Sequence, residues 1–339
     1  MSRLLELLDG FSAKRIAVVG DLIADEFIYG RVERLSREAP VLILQYDSTE
    51  ILPGGAGNAA KNVAALGARA QIVALTGNDE PGKRLRASLR LVDSKGLLRP
   101  GGYCTPVKTR ILAGGVHTAK QQIVRIDRVV STEYDAKTRA EFARAALKAA
   151  AQCDAILMSD YGTGLVTPDL ARALIKKVAA RSRRRAVPIL IDSRYDLMRY
   201  RGLTACTPNE SEVEQIFGVK IGDNARALER AGRELLKRTR MNAVLITRGS
   251  RGMALFESGR STIHVPIYGS DEVADVTGAG DTVIATMTLA IAAGASFYEA
   301  TRLANYAGGI VVMKRGTATV SSDELRAAVH SELTQPGPR

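Results

Sequence analysis

Residues 15–21, RIAVVGD, hold four apolar side chains in a row and then a glycine and an aspartate. A strand with one wet face alternates apolar with polar. A run that is apolar at every position needs cover on both sides, as in a parallel sheet packed between helices. Similar runs return in QIVALTG (71–77), DAILMSD (154–160), PILIDS (188–193) and NAVLITRG (242–249). Helical patterns lie between them near 57–66, 81–91, 134–151, 168–180, 209–217 and 223–238, and VIATMTLAIAA at 283–293 has the length of a core helix. Strands alternating with helices predict an α/β fold built on a mainly parallel sheet.

Two regions break this rhythm. Residues 26–50 and 103–127 alternate in the manner of antiparallel strands, the second with a turn at Gly114 and Gly115. They predict a small β-sheet inserted as a lid over a substrate cleft, which also suits a dimer contact. The expected organisation is one domain over 1–330 and a frayed tail over 331–339.

Composition narrows the function classes. Of 339 residues, 46% are hydrophobic and 25% charged, ordinary values for a globular chain. No stretch reaches 18 apolar residues, so no membrane span is expected, and MSRLLELLDGFS reads as a short amphipathic helix and not as a signal peptide. The three cysteines (104, 153, 206) and three histidines (117, 264, 330) are scattered, which argues against a disulfide framework, a zinc site or a histidine triad and for a cytoplasmic protein using Asp or Glu for acid–base work. A net charge of +12 suits anionic ligands, but aromatics are only 5% and Trp is absent, so nucleic acid is not the expected partner.

Several stretches carry candidate chemistry. DVTGAGD, 275–281, brings small residues to the mouth of the 283–293 helix, where amides and the helix dipole favour an anion. Asp281 there is either a helix cap or a proton acceptor for a group attacking that anion. LPGGAGNAAKN, 52–62, has glycines at 54, 55 and 57 and then Asn58, a pattern for close backbone approach to a polyol or for a plain turn. Asp21 ends the first strand, where ligands of open sheets gather, and Asp25 follows. TPNESEVE, 207–214, sets Asn209 and Glu212 three apart, as a capping box or as holders of magnesium-bound water. TRGSRG, 247–252, suits a turn against polyphosphate. GNDEPGKR, 77–84, imitates a P-loop but lacks the hydroxyl residue after its lysine, and its acids oppose a triphosphate.

In this order, GGAGN, NxxE, TRGSRG and DVTGAGD resemble the ribokinase-like (PfkB-type) sugar kinases across nearly the whole chain. Within them, GDLIADEFIYG (20–30), LSREAPV (35–41), KQQIVRID (120–127) and SDYGTG (159–164) resemble the kinases of D-glycero-D-manno-heptose 7-phosphate in lipopolysaccharide-core assembly. Those kinases phosphorylate the anomeric oxygen. The resemblance implies a three-layer sandwich, an ATP-dependent kinase using Mg²⁺ and a monovalent cation, and a homodimer joined through the lid. With no HxGH motif and an end near residue 330, the stand-alone kinase form is expected. Other acceptors in this class are fructose 6-phosphate, ribose or a nucleoside, and a non-catalytic binder is the alternative class.

Carried over by motif, Asp281 is the base and the amides of Gly278, Ala279 and Gly280 form the anion hole. Thr247, Arg248, Gly249, Gly252 and Arg194 lie near the ATP phosphates, Asn209 and Glu212 order magnesium through water, and Asn305 borders the adenine. Asp21, Asp25, Gly54, Gly55 and Asn58 hold the sugar, and the basic lid residues Lys108, Arg110 and Arg125 are the candidates for its phosphate. One departure stands out: those kinases usually read SDYxKG, and this chain has Thr163 in place of the lysine.

Overall fold

The structure is a computed structural model and describes residues 2–114, 120–128, 133–181, 186–269, 275–314 and 316–334. In chain order the strands are β1 (Arg15–Gly20), β2 (Leu22–Leu35), β3 (Leu42–Gly55), β4 (Arg69–Leu75), β5 (Asp93–Leu98), β6 (Val107–Gly114), β7 (Gln121–Arg128), β8 (Ala155–Asp160), β9 (Ile189–Ser193), β10 (Ala205–Cys206), β11 (Ala243–Thr247), β12 (Met253–Glu257) and β13 (Ile263–Val265). The helices are α1 (Ser2–Asp9), α2 (Ala56–Ala65), α3 (Glu80–Ser88), α4 (Ala136–Ala150), α5 (Pro168–Arg181), α6 (Glu210–Phe217), α7 (Ala225–Thr239), α8 (Ala279–Ala293), α9 (Phe297–Val311) and α10 (Ser322–Thr334). None is long and apolar enough to cross a membrane among the described residues.

β1 shows why its run is apolar throughout. Ile16 and Val18 join one core with side chains of α1, α2, α8, α9 and α10, while Ala17 and Val19 join a second core with α4, α5, α6 and α7. The period of two sends neighbours to opposite faces, so a central strand feeds two helical layers. The nine strands run in the order β13-β12-β11-β10-β9-β8-β1-β4-β5, parallel except where β12 meets β11 and β13. This is the expected α/β sandwich. α8 is buried along nearly its whole length, which accounts for its lack of a polar face.

Nothing in the sequence reading announced β5, β10, β12 or β13: β5 and β13 lie at the sheet edges, β10 has only two residues, and β12 is buried on both faces but follows the 247–252 turn directly. The imitation P-loop is a helix cap: the Asp79 carboxylate accepts from the Gly82 amide at 2.9 Å and from the Thr105 amide at 2.7 Å.

The inserted lid is a four-stranded sheet in the order β3-β2-β6-β7. Its two hairpin pairs are antiparallel as expected, but β2 and β6 at its centre run parallel. Parallel neighbours need a long crossover, and here residues 56–106 of the main domain supply it. The start of β2 is buried and its last five residues are exposed, so the sheet projects from the domain. Its far reaches carry exposed apolar groups, among them Leu35 and Tyr46. Gly114 ends β6, whereas Gly115, His117, residues 182–185 of the basic run and residues 335–339 of the tail lie outside the described residues.

Candidate active site

The sheet's own topology locates the site. From β1 the chain moves to β4 and β5 on one side, then returns to β8 and β9 on the other, so the order reverses between β1 and β8. Beyond the carboxyl ends of such strands a crevice opens. Asp21 follows β1, Tyr161 follows β8 and Arg194 follows β9, and the Tyr161 amide donates to Asp21 Oδ2 at 2.7 Å across the crevice.

The mouth of α8 faces the same place. Gly278 is its N-cap in the left-handed region (φ +79°), with no side-chain cap. The Ala279 amide donates back to the Val276 carbonyl at 3.2 Å. Among the described residues the amides of Gly278, Gly280 and Asp281 have no protein acceptor, so the set available to an anion differs in one member from the expected Gly-Ala-Gly trio. Asp275 shapes this turn, its carboxylate accepting from the amides of Thr277 (2.8 Å) and Gly316 (2.9 Å).

Asp281 is buried at this mouth and both of its oxygens are held. Asn58 Nδ2 donates to Oδ2 at 3.0 Å, and the Tyr161 hydroxyl donates to Oδ1 at 3.2 Å. Asn58 also donates to the Gly278 carbonyl, and its own Oδ1 accepts from Asn62 at 3.2 Å. The Asn58 amide therefore serves the aspartate and the turn, and it is not presented to the open cleft. Burial pushes the Asp281 carboxyl up to about 6, while the Asn58 hydrogen bond, the Arg194 charge and the Tyr161 hydrogen bond pull against it. At neutral pH it is largely ionised and close to the ideal range for a general base.

On one side lies a cavity of about 570 Å³, inside the roughly 300–1,000 Å³ range of small-molecule pockets. Asn209, Glu212, Thr247, Gly249, Gly252 and Asn305 line it together with Gly278 to Asp281, and Ile267, Val276, Val283 and Val312 give it an apolar wall. Gly252 has no room for a side chain: a Cβ would stand 2.1 Å from the Val265 carbonyl. Asn305 donates to the Pro266 carbonyl at 2.8 Å. Asn209 and Glu212 form a reciprocal capping box at 2.9 Å each way, the plain reading of NxxE, and both residues also line the cavity. Arg248 does not line the cavity; its guanidinium donates to Glu210 Oε2 and to the Gly222 carbonyl, both at 2.7 Å.

On the other side, under the lid, Asp21 and Asp25 are both buried. Asp21 accepts from Thr163 Oγ1 as well as from the Tyr161 amide, and burial pushes its carboxyl up to about 6 against both bonds. Thr163 is thus a buried partner of Asp21 and not a group facing a phosphate. Asp25 pairs with Arg110 at 2.6 Å, and Gly54 makes the room, since a Cβ there would lie 2.1 Å from Asp25 Oδ2. Gly55 (φ +57°) lets the chain enter α2 against the Asp21 carbonyl, 2.5 Å from a Cβ position. Arg125 forms a fork with Asp127 at 2.7 Å on each arm. Lys108 makes no ion pair among the described residues. Its ammonium lies 4.6 Å from the centroid of the Tyr161 ring, and burial draws its proton affinity below the ordinary lysine value.

Two cleft residues escaped the sequence reading. Tyr161 and Asp192 each sit at the carboxyl end of an apolar run, the signal that singled out Asp21, but only the crevice selects them from other polar residues there. Asp192 lines the cavity, and burial, then the charges of Glu212 and Asp281, push its carboxyl up to about 8.

Comparison with known proteins accords with this geometry. The family model described as pfkB family carbohydrate kinase matches residues 13–324. The bifunctional protein HldE of Desulfatibacillum aliphaticivorans is 40% identical over 325 residues, covering 95% of this chain and 64% of that relative. The chain thus spans under two thirds of the length of that relative. Among solved structures, Arabidopsis thaliana ribokinase complexed with ribose and ATP is similar with a TM-score of 0.71 at 19% identity, covering 93% of this chain and 98% of that one. Phosphofructokinase-2 from Escherichia coli in complex with potassium has a TM-score of 0.71 at 17% identity, covering 95% and 99%.

Proposed function

The chain belongs to the pfkB family of carbohydrate kinases, and from that premise we propose that it transfers the γ-phosphoryl group of ATP to the anomeric oxygen of D-glycero-D-manno-heptose 7-phosphate. The observation that carries the kinase reading is the buried Asp281 carboxylate beside the amides of Gly278, Gly280 and Asp281, which have no acceptor among the described residues. The carboxylate takes the proton of the attacking hydroxyl, and the amides stabilise charge on the phosphoryl group as it passes in line. ATP lies in the cavity lined by Thr247, Gly249, Gly252 and Asn305, with its phosphates toward Gly278. Positioning and charge stabilisation supply most of the catalysis in such transfers.

Magnesium suits the donors present. Mg²⁺ typically takes one or two carboxylates and fills its shell with water and substrate phosphates. Asp192 and Glu212 are two carboxyls that line the cavity, with Arg194 3.9 Å from Glu212 Oε1, and burial raises the proton affinity of each against the Arg194 charge. When bound, Mg²⁺ neutralises charge on the phosphates, and Asn209 holds Glu212 in place for it.

The phosphate already on the sugar is assigned to the lid side. Of the three lid residues proposed for it, Arg110 and Arg125 are paired with Asp25 and Asp127, which leaves Lys108 free of a carboxylate among the described residues, with Arg194 also close to the Tyr161 ring. The heptose itself is supported by the segments GDLIADEFIYG, LSREAPV and SDYGTG and by the similarity to bifunctional HldE proteins. The exposed apolar side chains of the lid, with Leu35 and Tyr46 among them, are assigned to a second copy of the chain. Light scattering is then expected to return about twice 36.3 kDa, and a monomer mass rejects the assignment.

The deciding experiment measures ATP-dependent phosphorylation of heptose 7-phosphate beside fructose 6-phosphate, ribose and adenosine, with Mg²⁺ and K⁺ present, and reads the product's position by phosphorus NMR. Potassium is included because a similar solved structure is described in complex with it. The expected result is the highest kcat/KM on the heptose phosphate, with new phosphate at O1. A higher value on another acceptor removes the heptose and keeps the kinase, whereas no transfer to any of them removes both.

A further inference from the structure

Tyr161 sits where three parts of the molecule meet. Its hydroxyl donates to Asp281 Oδ1 at 3.2 Å, its amide donates to Asp21 Oδ2 at 2.7 Å, and its ring has the Lys108 ammonium of the lid 4.6 Å and the Arg194 guanidinium 5.1 Å from its centroid. Gly55 makes space for the ring, since a Cβ on it would approach Tyr161 Cε2 to 3.2 Å. Burial and then the Asp281 charge keep the phenol protonated well above its ordinary range, so it is a permanent donor.

We propose that Tyr161 is a positioning residue of phosphoryl transfer, which orients the Asp281 carboxylate and ties its orientation to the lid through Lys108. This rests on the reading of Asp281 as the base. A carboxylate with one donor on each oxygen has its plane set, and here the donors come from different elements. Asn58 is anchored within the domain, its Oδ1 held by Asn62, whose own Oδ1 accepts from the Val320 amide at 3.3 Å. Tyr161 carries instead a cation that belongs to the lid strand β6. A charge over a ring attracts it more strongly as water is excluded. A lid drawn down by a sugar phosphate therefore presses on the residue that aims the base. The other charged groups around Asp281 are Arg194 and Asp192 from the end of β9 and Asp25 from β2.

The test compares Tyr161→Phe, Lys108→Met and the double variant on the preferred sugar phosphate, with Asp281→Asn alongside. Tyr161→Phe keeps the ring near both cations and removes the hydroxyl, with its bond to Asp281 and its contact with Arg194. Its kcat is expected to fall about tenfold at pH 8, the scale of a lost hydrogen bond to a charged group, with the ATP KM within about twofold. Loss of a bond to the ionised form raises the pKa of Asp281, so the acid limb of the kcat profile moves to higher pH and the deficit grows as pH falls. A residue that only fills space would lower thermal stability and reduce kcat evenly at all pH. Lys108→Met leaves Tyr161 in place, and because both act through one ring the double variant is expected to lose less kcat than the product of the single losses. Wild-type kcat within twofold and an unmoved acid limb in Tyr161→Phe overturn the proposal, and strictly multiplicative losses overturn its link to the lid. If those results come with an inactive Asp281→Asn, only this inference fails; if Asp281→Asn turns over normally, the reading of the base fails with it.

Discussion

Asp281→Asn is expected to lower kcat by at least about 100-fold while leaving the ATP KM within about twofold of wild type. General-base help is typically worth about 10²–10⁴-fold. The substitution is nearly isosteric: the amide oxygen accepts from Asn58 and the amide nitrogen donates to the Tyr161 hydroxyl, which can also accept, so the pocket keeps its shape. What disappears is the capacity to accept a proton at the moment of attack, an interaction made in the transition state and not in the ground state. The pH profile gives a second check on the same residue. With the Asp281 carboxyl at about 6, wild-type kcat is constant above that value and falls as pH drops through it, because protonation removes the base. A variant with near-normal turnover, or a wild-type rate unchanged between pH 7 and pH 5, would refute the assignment.

Gly278→Ala is expected to lower kcat by about 100-fold, near the lower end of the range for losing one anion-hole donor. Two causes act together. Gly278 has φ +79°, a conformation that costs an L-residue roughly 1–2 kcal/mol. A methyl group there would also stand 2.5 Å from Asn58 Nδ2 and 3.3 Å from Thr317 Cγ2. Asn58 is fully buried and tied to Asn62 and Asp281, so it yields only by disturbing the base itself. Gly102→Ala separates the causes, since Gly102 has a similar φ of +74° with nothing within 4 Å of its Cβ position. That variant is expected to unfold at a lower temperature and keep its kcat. If Gly278→Ala retains full kcat, the amides at the mouth of α8 are not part of the transition-state site.

How far the site was legible depended on how local its determinants are. The alternation of apolar runs and helices, the turn before α8 and the capping box at Asn209 follow from the chain's own periods and from glycine geometry, within a few residues of sequence. Asp281 and Glu212 stood out for that reason. Arg248 shows the limit, because beside two glycines it reads as a phosphate ligand, and only the approach of Glu210 and the Gly222 carbonyl turns its guanidinium elsewhere. Thr163 is similar: against a motif it is a missing lysine, and in the fold it is a hydrogen-bond donor to Asp21.

By itself, then, the chain's pattern determined a two-faced sheet under helices, an inserted lid and an anion-seeking helix mouth with a carboxylate in it. Tertiary structure alone decided which groups hold that carboxylate. Asn58 and Asp281 are 223 residues apart and Tyr161 and Asp281 are 120 apart. Such contacts carry no periodic signature, because they form only when the reversal of strand order between β1 and β8 brings distant strand ends and the start of α8 to one crevice. The parallel pairing of β2 with β6 has the same origin, since it is set by where the main domain returns the chain and not by any preference within the two strands.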